Sequence, residues 1–209
     1  MMRIDKLSST PNRAGQYRVS FDDGSIMRLY RQTVEDFGLY AGMELSDEDF
    51  QRLHAAAGQM SAKMRAVRIV AATGVSKKDL EQRLIRKGEN PTQAKEAVNW
   101  MEQLDLIDDR KTAEQVVSSC IRKGYGLARA KQALYEKRIP KDLWEDALSE
   151  YPDQQDKILE YLEAKLPDCP DQRQIRRTID ALLRRGHPYT QIRKALDRLS
   201  LDTNEFREE

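Results

Sequence analysis

The sequence predicts a mostly α-helical chain: three tandem three-helix repeats in an elongated, curved rod, preceded by a small N-terminal β-hairpin or three-stranded element. Three observations carry this prediction. From residue 46 onward, apolar residues recur at three- and four-residue steps between helix-start and helix-stop signals. Alternation with a period of two is confined to the first 45 residues. Apolar and basic positions also coincide when the chain is shifted by 50 and then by 48 residues.

The elements follow in order. Tyr17, Val19 and Phe21 alternate with polar neighbours, Asp22-Asp23-Gly24-Ser25 offers a turn, and residues 26–30 resume the extended pattern. Alternation around an Asp-Gly turn is a hairpin signal. Residues 3–7 supply a candidate third strand. Two strands alone are marginal, so this piece is expected to lean on the helix that follows, with Gly38 and Gly42 punctuating the connection. Ser46 is a helix N-cap with Asp47, Glu48 and Asp49 in the first turn. Phe50, Leu53, Ala57 and Met60 continue that helix towards Gly74, with Gly58 as the place for a break. Ser76 starts the next helix, which stops at Gly88, and Pro91 suits the first turn of another that lasts to Leu104. Helices are then expected over 110–123, 127–137, 141–149, 153–166, 171–185 and 189–199.

The repeat register aligns Leu84 with Leu134 and Leu182, and Lys87 with Lys137 and Arg185. It also aligns Ala97 with Ala147 and Ala195, and Val98 with Leu148 and Leu196. Gly88 and Gly186 match, with Arg138 between them as the exception, while Val67 falls on Val117 and Gly74 on Gly124. The chain then divides into a β element over 1–45, a connecting helix over 46–62, and repeats over 63–109, 110–150 and 151–209, the last including an acidic tail. A unit of this size buries little surface, so neighbours must support one another, which predicts the rod.

Composition narrows the function. Hydrophobic residues make up 39% and charged residues 34%, which suits helices with solvated faces more than a deep globular centre. No apolar run approaches the roughly 20 residues of a membrane span, and the N-terminus has no apolar signal region. Cys120 and Cys169 lack metal or redox spacing and read as reduced thiols, one a small core residue and one in a loop. A cytoplasmic monomer is expected. The net charge is +1, yet residues 110–141 hold nine Lys/Arg against Glu114 and Glu136, net +7, and residues 171–198 hold eight against three, net +5. Such segregation creates local positive fields.

Basic pairs close several helices: Arg86-Lys87, Arg122-Lys123, Lys137-Arg138 and Arg184-Arg185. Cations at a helix C-terminus are stabilising by about 0.3–1 kcal/mol each, which alone can account for any one pair. The dipole does not explain the shortage of acids over 110–141, where Arg129, Lys131 and Lys141 add charge away from helix ends or at a helix start. A basic face on the second repeat is therefore expected, with Arg193, Lys194 and Arg198 as a second patch. Tyr125, between two glycines, is a contact candidate; Tyr189 suits packing better than stacking, and Trp100 and Trp144 belong to apolar faces. The two histidines, His54 and His187, have no nucleophile or carboxylate at catalytic spacing, and neither a phosphate loop nor an HExxH motif occurs. No enzyme activity, cofactor or metal is expected. Asp108-Asp109 reads as a helix cap more than as a carboxylate pair.

Leu106-Ile107-Asp108-Asp109, Ala113, Arg122-Lys123-Gly124-Tyr125-Gly126, Ala130, Leu134 and Lys137 through Ile139 together resemble the central motif of the RecX family. Ser76, Leu80, Leu84 and Lys87-Gly88 resemble its upstream repeat, and Arg184-Arg185-Gly186 its third-repeat helix end. The resemblance covers roughly residues 65–199. It departs at Lys111-Thr112 and His187, where the family favours an aromatic, and at Arg138, where it favours glycine. The resemblance implies a regulator without catalysis that binds the RecA recombinase filament on single-stranded DNA, lies along its groove and lowers its recombinase and coprotease activities. The implied contact residues are Arg122, Lys123, Tyr125, Arg129, Lys131, Lys137, Arg138, Lys141, Arg184, Arg185, Arg193, Lys194 and Arg198. Two rival readings are a helical module that contacts DNA directly and a scaffold for an unrelated protein.

Overall fold

The computed structural model describes residues 1–199; the acidic tail lies outside the described residues. The chain is mostly helical with a small antiparallel sheet, and it divides into two compact units that meet in sequence at Ile107 and Asp108.

In the first unit, β1 (Met2–Leu7), β2 (Gln16–Phe21) and β3 (Ile26–Tyr30) pair antiparallel, and a two-residue β4 (Glu44–Leu45) joins the free edge of β1. The sheet order is β3-β2-β1-β4. The hairpin turns where the Asp-Gly signal places it, with Gly24 at φ +82° and the Asp23 carboxylate accepting from the Ser25 amide at 2.8 Å. Two elements are additions to the sequence expectation. Helix α1 (Arg31–Asp36) has only six residues and one aliphatic side chain, too little for a periodic signal, and β4 is too short for alternation.

Helix α2 (Asp47–Ala72) runs unbroken for 26 residues from its Ser46 cap. Gly58 does not interrupt it. A Cβ there would lie 2.4 Å from the Gln93 side chain, so the glycine serves close packing. The helix serves two cores. Its first half covers the sheet: Leu53 and Phe50 meet Ile4, Val19, Phe21, Leu29 and Leu45, with the Phe21 and Phe50 rings edge-on at 5.3 Å. Its second half contributes Ala62, Ala66 and Ile69 to a separate core with Leu80 and Leu84 of α3 (Lys77–Arg86) and with Ala94, Ala97, Val98 and Met101 of α4 (Pro91–Gln103). Trp100 is half-buried against this core, with the Lys63 ammonium 5.3 Å from its ring centre.

The second unit contains two further three-helix sets. The first is α5 (Asp109–Arg122), α6 (Leu127–Glu136) and, after a 3-10 turn over Lys141–Leu143, the short α7 (Trp144–Leu148). The second is α8 (Gln155–Lys165), α9 (Gln172–Arg184) and α10 (Tyr189–Arg198). Asp108 caps α5, accepting from the amides of Arg110 at 2.8 Å and Lys111 at 3.2 Å. These donors hold its carboxyl below the usual range. Asp171 closes a capping box with Gln174. Cys120 is buried and its thiol is pushed up by burial, while Cys169 is exposed.

The 50/48 register holds at atomic level. Leu84, Leu134 and Leu182 are each 0% exposed. Lys87, Lys137 and Arg185 are the C-caps of α3, α6 and α9. Each is followed by a left-handed residue: Gly88 at φ +89°, Arg138 at +54° and Gly186 at +86°. In all three turns the next amide reaches back to the carbonyl of the leucine that the repeat register aligns, from Glu89, Ile139 and His187 at 3.1, 3.1 and 3.2 Å. That hydrogen bond satisfies a helix-end carbonyl, as in a Schellman motif. Arg138 therefore takes the same conformation as the two glycines. The register loosens in the third helix of the second set: Ala97 and Ala195 are buried, but Ala147 and Leu148 are half-buried, because α7 has only five residues.

Two stability measurements test this packing. Leu134→Ala should lower the unfolding free energy by roughly 2–5 kcal/mol, read from urea unfolding; an unshifted midpoint would contradict its burial. Arg138→Gly should raise the same midpoint, by about 1 kcal/mol, because a side chain in left-handed backbone costs roughly 1–2 kcal/mol. A lower midpoint would show that the Arg138 side chain stabilises more than its backbone costs.

Candidate basic interface

Several of the basic residues named from the sequence, Arg122, Lys123, Arg129 and Arg185, lie at a junction inside the second unit, where the α5–α6 loop lies on the α9–α10 turn. Backbone meets backbone there. The Gly126 amide donates to the Arg185 carbonyl at 2.9 Å. A Cβ on Gly126 would stand 2.0 Å from the Gly186 carbonyl oxygen, and one on Gly186 would stand 2.3 Å from the Arg129 amide nitrogen. Neither position has room for a side chain.

Side chains then lock the contact. His187 is 3% exposed, and its Nε2 donates to the Gly124 carbonyl at 3.0 Å. A carbonyl only accepts, so Nε2 carries the proton. Nδ1 is buried without a hydrogen-bond partner among the described residues. The Arg185 guanidinium lies 4.9 Å from the Tyr125 ring centre and 5.1 Å from that of Tyr161, and it donates to the Lys123 carbonyl. Tyr151 donates to the Tyr125 carbonyl at 2.6 Å, and burial pushes its hydroxyl up to about 12.

The candidate residues separate by what holds them. Arg185 and Tyr125 are half-buried in the lock. Arg129 is half-buried and grips both oxygens of Glu136, at 3.0 and 3.4 Å. Lys137 and Arg138 close α6 and have partners of their own. The others are exposed: Arg122 and Lys123 at the end of α5, Lys131 on α6, Lys141 in the 3-10 turn, Arg184 at the end of α9, and Arg193, Lys194 and Arg198 on α10. No ion pair holds any of these eight among the described residues.

Arg122, Lys123 and Arg185 share a hollow of about 260 Å³ with Lys157, Glu160 and Tyr161. Lys157, bound to Glu160 at 2.8 and 3.0 Å, and Tyr161 were not singled out in the sequence. They reach this site only because α8 packs beside the loop. Lys131 and Lys141 line a different, more apolar hollow with Leu127 and Trp144. Arg193, Lys194 and Arg198 line neither. Tyr189 packs against the third core. Trp144 is half-buried, and its indole N–H donates to the Ile139 carbonyl at 3.0 Å. Among the described residues no group of three or more metal-type ligands assembles, and no helix is long and apolar enough to cross a membrane.

Residues 108–148 match the family model described as RecX, second three-helix domain. The match spans the loop, α6 and the short third helix that make up one side of this junction. Over 98% of this chain and 81% of its own length, the regulatory protein RecX of Streptococcus gordonii is 22% identical. Those of Vibrio parahaemolyticus and Chlorobaculum tepidum are 28% and 29% identical over 66% and 65% of this chain and 90% and 86% of their own. The chain is thus similar to RecX proteins along most of its length, and residues 108–148 match the family model itself. Its fold agrees with a crystal structure of a regulatory protein RecX, at a TM-score of 0.64 and 19% identity over 94% of this chain and all of that one. It also agrees with RecX from Lactobacillus salivarius, at 0.59 and 23% over 69% of this chain and 98% of that one. The RecX relatives carry the name of regulatory proteins.

Two measurements test the junction. Gly126→Ala should destabilise the second unit by about 1–3 kcal/mol, because backbone on both sides of the contact must give way. An unshifted unfolding curve would contradict the close approach. His187 is held below its ordinary 6.5, first by burial and also by the nearby Arg185, although the Gly124 hydrogen bond opposes the shift. The unfolded chain therefore takes up the proton first as pH falls. The contribution of His187 is complete above about pH 6.5 and is lost below it, until the folded imidazole also protonates. The urea midpoint should drop between pH 7.5 and 5.5, and His187→Phe should flatten that drop; an equal drop in the variant would move its cause elsewhere.

Proposed function

We propose that this chain, similar to RecX regulatory proteins, binds a RecA filament on single-stranded DNA and lowers its activity, with no catalytic step of its own. The observation that carries the reading is the set Arg122, Lys123, Lys131 and Lys141, exposed and outside every ion pair among the described residues. They lie on or border the segment matched by the RecX model. Unpaired cations keep their full attraction for an anionic surface, whereas Arg129, neutralised by Glu136, does not. A filament on DNA repeats its subunits and phosphates at regular intervals, so several weak contacts from one chain add through effective concentration.

Direct DNA contact is the second reading. The hollow that brings Arg122, Lys123 and Lys157 beside Tyr161 favours it, since it sets charge for phosphate next to a ring for a base.

The test is strand exchange with purified components, together with binding to bare and to RecA-coated oligonucleotides. The chain should inhibit exchange and prefer the coated strand; no effect at several-fold excess would refute the proposal, and equal affinity for both strands would favour the second reading. Changing Arg122, Lys123, Lys131 and Lys141 together to Ala should weaken binding to the coated strand about tenfold or more, with helicity intact. Unchanged affinity would remove this face from the account.

A further inference from the structure

The α6 helix carries an apolar surface that the chain itself leaves open. Leu127 is 42% exposed and Leu183 is 43% exposed. They flank a hollow of about 340 Å³ that Ala128, Lys131, His187 and Pro188 complete. On the other side of Leu127, a hollow of about 600 Å³ is lined by Trp144 and Leu148 together with Lys131, Lys141 and Glu145. Leu127 and Lys131 line both, so the two hollows adjoin across α6. This opening follows from the short α7, which leaves Trp144 and Leu148 only half covered.

We infer that this trough on α6 is a docking groove for an apolar segment of a protein partner whose flanks carry carboxylates. The volumes are those of sites that bury ligand side chains. Charge selects the occupant. Lys131 and Lys141 stand at the groove and no ion pair holds them among the described residues, against the single lining acid Glu145. Glu136, the nearby acid that might have neutralised the helix, is taken by Arg129. An apolar partner without acids would leave both ammonium groups facing it unpaired. A phosphodiester strand would lose water over leucine and tryptophan without replacing those contacts. An amphipathic segment with acidic flanks satisfies both requirements at once, in the manner of a helix laid in a groove. The inference rests on the proposed function and names how the protein component of the filament is held.

The experiment compares wild type with two paired variants, Leu127→Ser with Leu183→Ser and Lys131→Glu with Lys141→Glu. Each is measured on RecA-coated and on bare oligonucleotide across a salt series. All four side chains are exposed, and circular dichroism and urea midpoints check each fold. The leucine pair should lose at least about tenfold in affinity for the coated strand with an unchanged salt slope. The lysine pair should lose affinity and flatten the slope. Binding to the bare strand should be unchanged in the leucine pair. Wild-type affinity in both pairs would overturn the groove while leaving the proposed function intact. Equal weakening of the leucine pair on the bare strand would make this a nucleic-acid surface and overturn the inference. A wild type that ignores the coated strand would refute the proposed function and the groove's partner with it. If sedimentation shows a wild-type dimer that the leucine pair makes monomeric, the groove belongs to a second copy and the inference fails.

Discussion

A left-handed turn at the end of the middle helix organises each repeat. The turn needs one residue at positive φ, and the amide beyond it closes on the carbonyl of a fully buried leucine. Anchoring the turn to the core residue fixes where the chain leaves the helix. The next helix then starts from Asn90, Pro140 or Pro188, each two residues past its left-handed position. In the third repeat the same turn has a second role. Its Arg185 carbonyl, Gly186 backbone and His187 ring all face the loop of the second repeat, so the device that folds one repeat also joins it to its neighbour.

That junction also sorts the charges. Holding two backbones at contact distance requires glycine on both sides, and the space around them is closed by Arg185 between two tyrosine rings and by a neutral histidine. A guanidinium held in this way is partly desolvated and has little freedom to reach outward. Arg129 is drawn into its own carboxylate pair. The cations left over stand at helix ends and on α6, where no ion pair holds them among the described residues. The partition into structural and available charge is a product of packing, and it leaves a chain of near-zero net charge with exposed lysines beside an apolar hollow.

Much of the architecture was legible in the residues. Caps at Ser46, Ser76 and Asp108, the Asp-Gly hairpin turn and the spacing of apolar residues in the 50/48 register are specified by local residue types and their periodicity. Arg138 stood as an exception by composition yet conforms by conformation, because the tight turn is imposed by Leu134 and Ile139 around it. Helix α1 and strand β4 were not legible, being too short to show a period. Gly58 signalled a break where it provides clearance for Gln93, a distinction that depends on a neighbour 35 residues away.

The amino-acid sequence alone determined the class of fold, the repeat, and which side chains carry charge, since each follows from periodicity and residue type. Tertiary structure alone decided which of those charges remain available. Arg185 and Arg122 differ little as letters at the end of a helix. One is enclosed by Tyr125 and Tyr161, brought from two different helices' approaches, and the other faces water. The physical reason is that desolvation and pairing depend on distance in space, and the groups that supply them at this site lie up to 63 residues apart along the chain.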